Sequence, residues 1–443
     1  MRASPSHATP YVLSGAVLLA LTVFKALGLT RGSAVDHLAA AVCLLILTGL
    51  SILLLLHEGY GQKQVLTLLL PIGLALFLRL LLLDHATLDY QDFLSQWVSH
   101  FRQYGGFSAL KDPVGNYNAP YLYLLAFLSY LPFPDLYGIK LFSILFDILL
   151  AWGGLRLVKR LTDREAPPLV CFFVLLLLPT VVLNGACWGQ CDSVWAALCL
   201  HALSFALDNK PNTSLALLAL AFSFKLQAIF IIPLWLALWF SGRVRLRNFP
   251  IFPAAFILTM VPALLAGKPV RDILSVYLEQ ASDSVGWQTV NYNSPSVFSL
   301  VPYGAELGEN APKLGIALAF LFMAVILLLL FRKRHALDSA ALLLAGATLS
   351  LGIPFFLPYM HERYFFLGGV LLVIWACASP FQIPAAVGAE LASLGGYHAY
   401  LMKRYVMPLT FFGTTWAQPA EGLLMLSAVV VTAYTLWKRL DHI

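Results

Sequence analysis

The stretch LGIALAFLFMAVILLLLF, residues 314–331, holds no charged residue and no proline in eighteen positions. A helix of that length rises about 27 Å, close to the ~30 Å hydrocarbon core of a bilayer. LTLLLPIGLALFLRLLLL (66–83) reads the same way apart from one proline and one arginine. Working outward, similar runs recur at 11–30, 37–56, 139–157, 169–186, 251–267, 339–357, 366–380 and 421–437. Only 11% of the 443 residues are charged, where a soluble domain carries about 25%. The expected fold is therefore all-α: a polytopic transmembrane helical protein of about 12–14 spans, read as one domain over 1–443. The run at 11–30 is weakly flanked by charge and followed at once by further spans, so it is read as a span and not as a cleaved leader.

The net charge of +6 is unevenly spread. Arg156, Lys159, Arg160 and Arg164, then Arg243, Arg245 and Arg247, then Arg332, Lys333 and Arg334, then Lys438 and Arg439 sit in short loops or the tail. The positive-inside rule places these clusters, and the N-terminus, in the cytoplasm. The alternating segments 84–118, 185–193, 268–312 and 358–364 hold eleven of the 22 carboxylates and only five Lys or Arg. The positive charge thus describes topology, and no nucleic-acid partner is expected. Cys187 and Cys191, in CWGQC, lack the neighbouring ligands of a zinc site and read as small residues at a helix mouth.

Two outer segments, 84–118 and 268–312, are too long to be plain connectors. In DYQDFLSQWVSHFRQY (89–104) a 3.6-residue period puts Tyr90, Phe93, Leu94, Trp97, Val98, Phe101 and Tyr104 on one side, with Asp89, Asp92, Gln96, Ser99 and Gln103 on the other. That pattern predicts a helix lying in the membrane interface. RDILSVYLEQASD (271–283) repeats it more weakly. Residues 213–240 form either one long tilted helix or two short ones broken at KLQ (225–227). The course of 381–420 is open, and the helices of 381–443 carry no motif.

Ionisable groups inside a membrane cost about 2.5–3.5 kcal/mol each, so they need a reason. Asp89 and Asp92, three apart, are candidates for a general base or a metal-holding pair, set against a solvated helix face or an N-cap. Trp188 reads as an interface anchor, and Gln190 and Asp192 as hydrogen-bonding groups for sugar hydroxyls. Lys225 and Gln227 interrupt an apolar stretch, with snorkelling as the structural alternative. Asp147 is expected to meet a buried donor. In PYMHERYFF the pair His361–Glu362 is not a zinc-protease motif, because Phe365 stands where the second histidine would be. Arg363 offers a donor fork suited to phosphate, His361 can donate to a phosphate or sugar oxygen, and Glu362 can orient either cation.

The ordered set DYQDFLSQW, GNYNAPYLYLL, GACWGQCDS, FSFKLQAIF and PYMHERYFF resembles the GT-C integral-membrane glycosyltransferases. The likeness is to prokaryotic relatives of the second mannosyltransferase of glycosylphosphatidylinositol-anchor synthesis. The resemblance runs from about residue 85 to 370. It implies amphipathic helices in the first outer loop and an inverting, single-displacement hexosyl transfer. The donor it implies is a polyprenyl-phosphate sugar, with mannose the expected sugar. The acceptor is a glycan, lipid or protein hydroxyl on the extracytoplasmic face of a prokaryotic plasma membrane. By motif position Asp89 is the implied base, with Asp92 a second-carboxylate candidate. His361, Glu362 and Arg363 are implied near the donor phosphate; the chemistry of the residues adds Lys225 there, and Glu362, Trp188, Gln190, Asp192, Gln227, Tyr117 and Asn118 are expected to bind or orient substrate. No cofactor is required, and a divalent metal is compatible with the acidic pair without being predicted. A transporter or flippase of a lipid-linked sugar is the competing reading; it would be favoured by two related halves, which the sequence does not contain. An oligosaccharide ligase would differ in using a pyrophosphate-linked chain as donor.

Overall fold

The computed structural model describes residues 33–286, 289–302, 307–403, 410–411 and 414–443; the expected span at 11–30 lies outside them. The described chain is a set of helices with two short strand pairs, Asn291–Tyr292 with Met360–His361 and Thr410–Phe411 with Thr414–Thr415. Seven helices are long and apolar enough to cross a membrane: Asp36–His57, Gln62–Leu80, Asp135–Val158, Leu246–Leu265, Ala311–Arg332, Ser339–Phe356 and Ala417–Asp441. This is an all-α polytopic membrane protein. An eighth span is added if Ala166–Leu177 and Pro179–Trp188, bent by 44°, count as one. Five further apolar helices are shorter, and the reason is local. Pro179 breaks the 169–186 run, and Lys225 breaks 213–240 into Pro211–Phe224 and a following turn and helix that end at Phe240. The segment left open, 381–420, begins with a 20-residue helix, Ile383–Met402.

The described residues form two compact units. One comprises 33–115, 122–152 and 172–193; the other comprises 116–121, 153–171 and 194–443.

In the first unit the chain turns just beyond Gln62–Leu80. Lys140 donates from its ammonium to the backbone oxygens of Leu82 (2.6 Å), Leu83 (3.0 Å) and His85 (2.7 Å), which closes the end of that helix. Below it, Arg79 and Asp147 are both fully buried and joined at 2.8 Å. Arg79 also donates to the oxygens of Ala75 and Leu176, so Asp147 does meet the expected donor. Removing one partner of such a pair costs about 3–5 kcal/mol. The expected helix over 89–104 forms, but with one difference. Tyr90–Leu94 is a wider turn with i→i+5 bonding, followed by a regular helix at Ser95–Gln103. The inserted residue rotates the earlier side chains off the stripe. Leu94, Val98 and Phe101 are buried, while Phe93 and Tyr104 are exposed.

In the second unit Ser339–Phe356 and Phe366–Ala378 are buried almost throughout and pack on each other. Ala311–Arg332, by contrast, exposes Leu314, Phe320 and Leu328. Such a face suits a lipid solvent, because its backbone groups are already satisfied within the helix. The second outer segment forms a helix, Val270–Gly286, whose Val270, Leu274 and Leu278 make an exposed stripe at i, i+4 and i+8. Tyr277 of this helix donates to the Phe222 oxygen and packs its ring on Phe222 at 5.0 Å.

Candidate active site

In the first unit the site is built around Asp89. The helix-like turn Leu183–Trp188 ends at Gly189, which takes φ +78°, a left-handed conformation that glycine adopts without a Cβ penalty. That reversal puts Trp188 and Gln190 on either side of one turn. The indole N–H of Trp188 and the side-chain amide of Gln190 both donate to Oδ2 of Asp89, at 2.8 and 2.7 Å. The Thr87 hydroxyl ties the loop to the Trp188 oxygen (3.0 Å), and Ser143 holds the Gln190 oxygen (2.7 Å). Donors of this kind favour the charged carboxylate and fix its direction. Trp188 is fully buried, so the expected interface anchor is instead a donor to the acid. Asp192 is also buried, and its carboxylate accepts from Asn184 at 2.7 Å while its N–H returns to the Asn184 side chain. Asp92, one turn beyond Asp89, is exposed. Beside them Tyr90, pushed up to about 12 by burial and by Asp135, stays protonated and donates to Asp135 at 3.2 Å. Cys187 and Cys191 are buried cysteines.

In the second unit Lys225 and the His361–Arg363 motif belong to separate elements. Lys225 adopts an extended backbone between Pro211–Phe224 and the turn Leu226–Phe230, and its side chain is buried instead of snorkelling outward. Its ammonium lies 5.9 Å from the Tyr117 ring centroid. Burial pushes the Tyr364 hydroxyl up, and the positive charges of Arg363 and Lys225 both oppose that shift. The buried Gln227 side chain adjoins that phenol as well. Arg363 pairs with Glu362 at 3.1 Å. Glu362 is 1% exposed and its Cβ lies against Gly396, where an added methyl would sit 2.8 Å away. Asn118 is buried and spends its Oδ1 on the Ala119 amide (2.8 Å), at the start of the helix Ala119–Leu128.

The backbone around His361 is fixed by a partner the sequence did not single out. Asn291–Tyr292 runs parallel to Met360–His361, Tyr359 donates to the Val290 oxygen (2.7 Å), and Glu362 donates to the Tyr292 oxygen (3.2 Å). The Tyr292 ring stacks on His361 with centroids 4.7 Å apart and planes 13° from parallel. The signal available in sequence was VNYNSP, a short polar interruption with an aromatic at its centre and two asparagines. Asn293 takes φ +53° and Tyr359 φ +62°, so both ends of this pairing turn sharply. Among the described residues no group of three or more His, Cys, Asp or Glu is placed to hold a metal ion.

A sequence model of the family described as Glycosyltransferase family 87 matches residues 116–357. A search of curated proteins finds no match. The matched stretch contains Tyr117, Asn118, Trp188, Gln190, Asp192, Lys225 and Gln227, and it leaves out Asp89, Asp92 and the His361–Arg363 motif. It spans more than half of the chain, and its family is a glycosyltransferase family, the broad class that the ordered motifs implied. A helical chain with membrane-spanning segments, a doubly held carboxylate in one unit and a buried lysine in the other therefore belongs to glycosyltransferase family 87.

Proposed function

We propose that the protein is an inverting hexosyltransferase that uses a polyprenyl-phosphate sugar. The sugar the motif resemblance favours is mannose, and the acceptor is a hydroxyl of a glycan, lipid or protein on the extracytoplasmic face. The observation that carries the reading is the Asp89 carboxylate, half-buried and held by two N–H donors while Asp92 beside it is exposed. A base must be positioned before its proton affinity matters. Asp89 takes the proton from the acceptor hydroxyl as that oxygen attacks the anomeric carbon. The bond from that carbon to the phosphate oxygen breaks, and polyprenyl phosphate leaves with the electron pair. Charge grows on the departing phosphate, and Arg363 and Lys225, with His361 as a further donor, offset it. Family membership supports transfer, and the outward concentration of carboxylates in the sequence supports the face.

The test uses the full chain reconstituted in lipid with a panel of radiolabelled polyprenyl-phosphate sugars and a nucleotide-sugar control. Label should pass to acceptor from one polyprenyl-phosphate sugar and not from the nucleotide sugar. Transfer from the nucleotide sugar alone would end the donor assignment. Retention of anomeric configuration in the product would end the single-displacement mechanism.

A further inference from the structure

A cavity of about 690 Å³ opens on the surface of the second unit, lined by Leu215, Leu218, Trp235, Leu246, Phe249 and Met323 among others. Its size falls within the ~300–1,000 Å³ of ligand sites. The lining is apolar, and the indole N–H of Trp235 is already donated to the Ser214 hydroxyl at 3.0 Å. Two lining residues, Leu236 and Leu246, are 37% and 67% exposed, so the groove is open along its side.

One end of the groove is basic. Leu246 stands between Arg245 and Arg247, both exposed, and the Asn248 side chain fixes this turn by accepting from the Arg245 N–H (3.0 Å) and donating to Asn212 (2.7 Å). Phe331, which precedes the Arg332–Arg334 cluster, packs on Phe240, five residues before Arg245, at 5.1 Å. Two carboxylates that flank the basic clusters in the chain are engaged with other arginines: Asp208 with Arg156 and Arg160, and Asp338 with Arg439.

An apolar slot along a membrane face, with exposed Arg245 and Arg247 flanking its lining residue Leu246, matches a lipid whose tail is apolar and whose head carries a negative phosphate. We propose that this groove binds an anionic phospholipid of the surrounding leaflet, its acyl chain along Leu218, Trp235 and Met323 and its headgroup phosphate at Arg245 and Arg247. The site is separate from the residues assigned to transfer. Zwitterionic lipids offer the same tails, so headgroup charge is what the arginines select.

Native mass spectrometry of the full chain in detergent, titrated with dioleoyl phosphatidylglycerol or dioleoyl phosphatidylcholine, tests this. One phosphatidylglycerol should be retained at about tenfold lower concentration than phosphatidylcholine. The surface variant Arg245→Gln/Arg247→Gln should lose that preference while still binding either lipid weakly. Met323→Trp, which narrows the slot, should weaken both lipids alike. Equal retention of the two lipids by the unaltered chain would overturn the proposal, as would a preference that survives loss of both arginines or retention unchanged by Met323→Trp. Displacement of phosphatidylglycerol by equimolar polyprenyl phosphate would also overturn it, by giving the groove to the donor's tail.

Discussion

The acid and the cations are held in place by opposite means. Asp89 sits in the 84–118 segment and owes its direction to side chains 99 and 101 residues further along the chain. His361 and Glu362 owe theirs to the backbone of a two-residue strand pair, backed by a stacked ring and close packing against a glycine, and Arg363 pairs with the adjacent Glu362. A group aimed by side-chain donors can be misdirected by one substitution elsewhere. A group aimed by backbone register can be truncated without moving its neighbours. Point mutations in the two regions should therefore fail differently, one through the chemical step and the other through binding.

The largest effect is expected at the acid. Asp89→Asn should lower turnover by about 10²–10⁴-fold, the span attributed to a general base, with donor affinity largely kept; full transfer activity would remove Asp89 from the base role. Next come the cations: Arg363→Ala and Lys225→Ala should each weaken donor binding about 10–100-fold, as for loss of a charged hydrogen bond. Unchanged donor affinity in both variants would refute the phosphate assignment. Trp188→Phe keeps the ring and deletes one donor to Asp89, so turnover should drop about tenfold at constant donor affinity. A drop in donor affinity instead would erase the contrast between the regions. Asp92→Asn should change turnover by less than about threefold, as expected of a solvated surface carboxylate; a loss like that of Asp89→Asn would make the pair act as a unit.

Much of this was legible in the sequence, and the parts that were not share a cause. Apolar runs located the long helices because a lipid-facing helix needs no partner to declare itself, as Ala311–Arg332 illustrates. The break at Lys225 was visible because a cation interrupts an apolar stretch. The extra residue in the turn Tyr90–Leu94 was not visible, since a 3.6-residue period assumes regular winding, and so the exposure of Phe93 could not be read. Trp188 looked like an interface anchor because tryptophans at span ends usually are. Only the turn at Gly189 shows that it donates to Asp89. Tyr292 escaped for a similar reason: its partner lies about seventy residues away, and a two-residue strand has no period to detect.

The pairing of Arg79 with Asp147 bears on how the chain enters the bilayer. The arginine emerges from the ribosome 68 residues before the carboxylate that neutralises it. Until Asp135–Val158 is made, the Gln62–Leu80 segment carries a lone cation that costs about 2.5–3.5 kcal/mol in hydrocarbon. Its insertion should therefore be provisional, completed only when the later helix arrives. Nascent chains halted before residue 135 should leave this segment extractable by alkali, and those extended past 158 should lock it in. Equal resistance at both lengths would mean that the hydrophobic stretch inserts on its own merits.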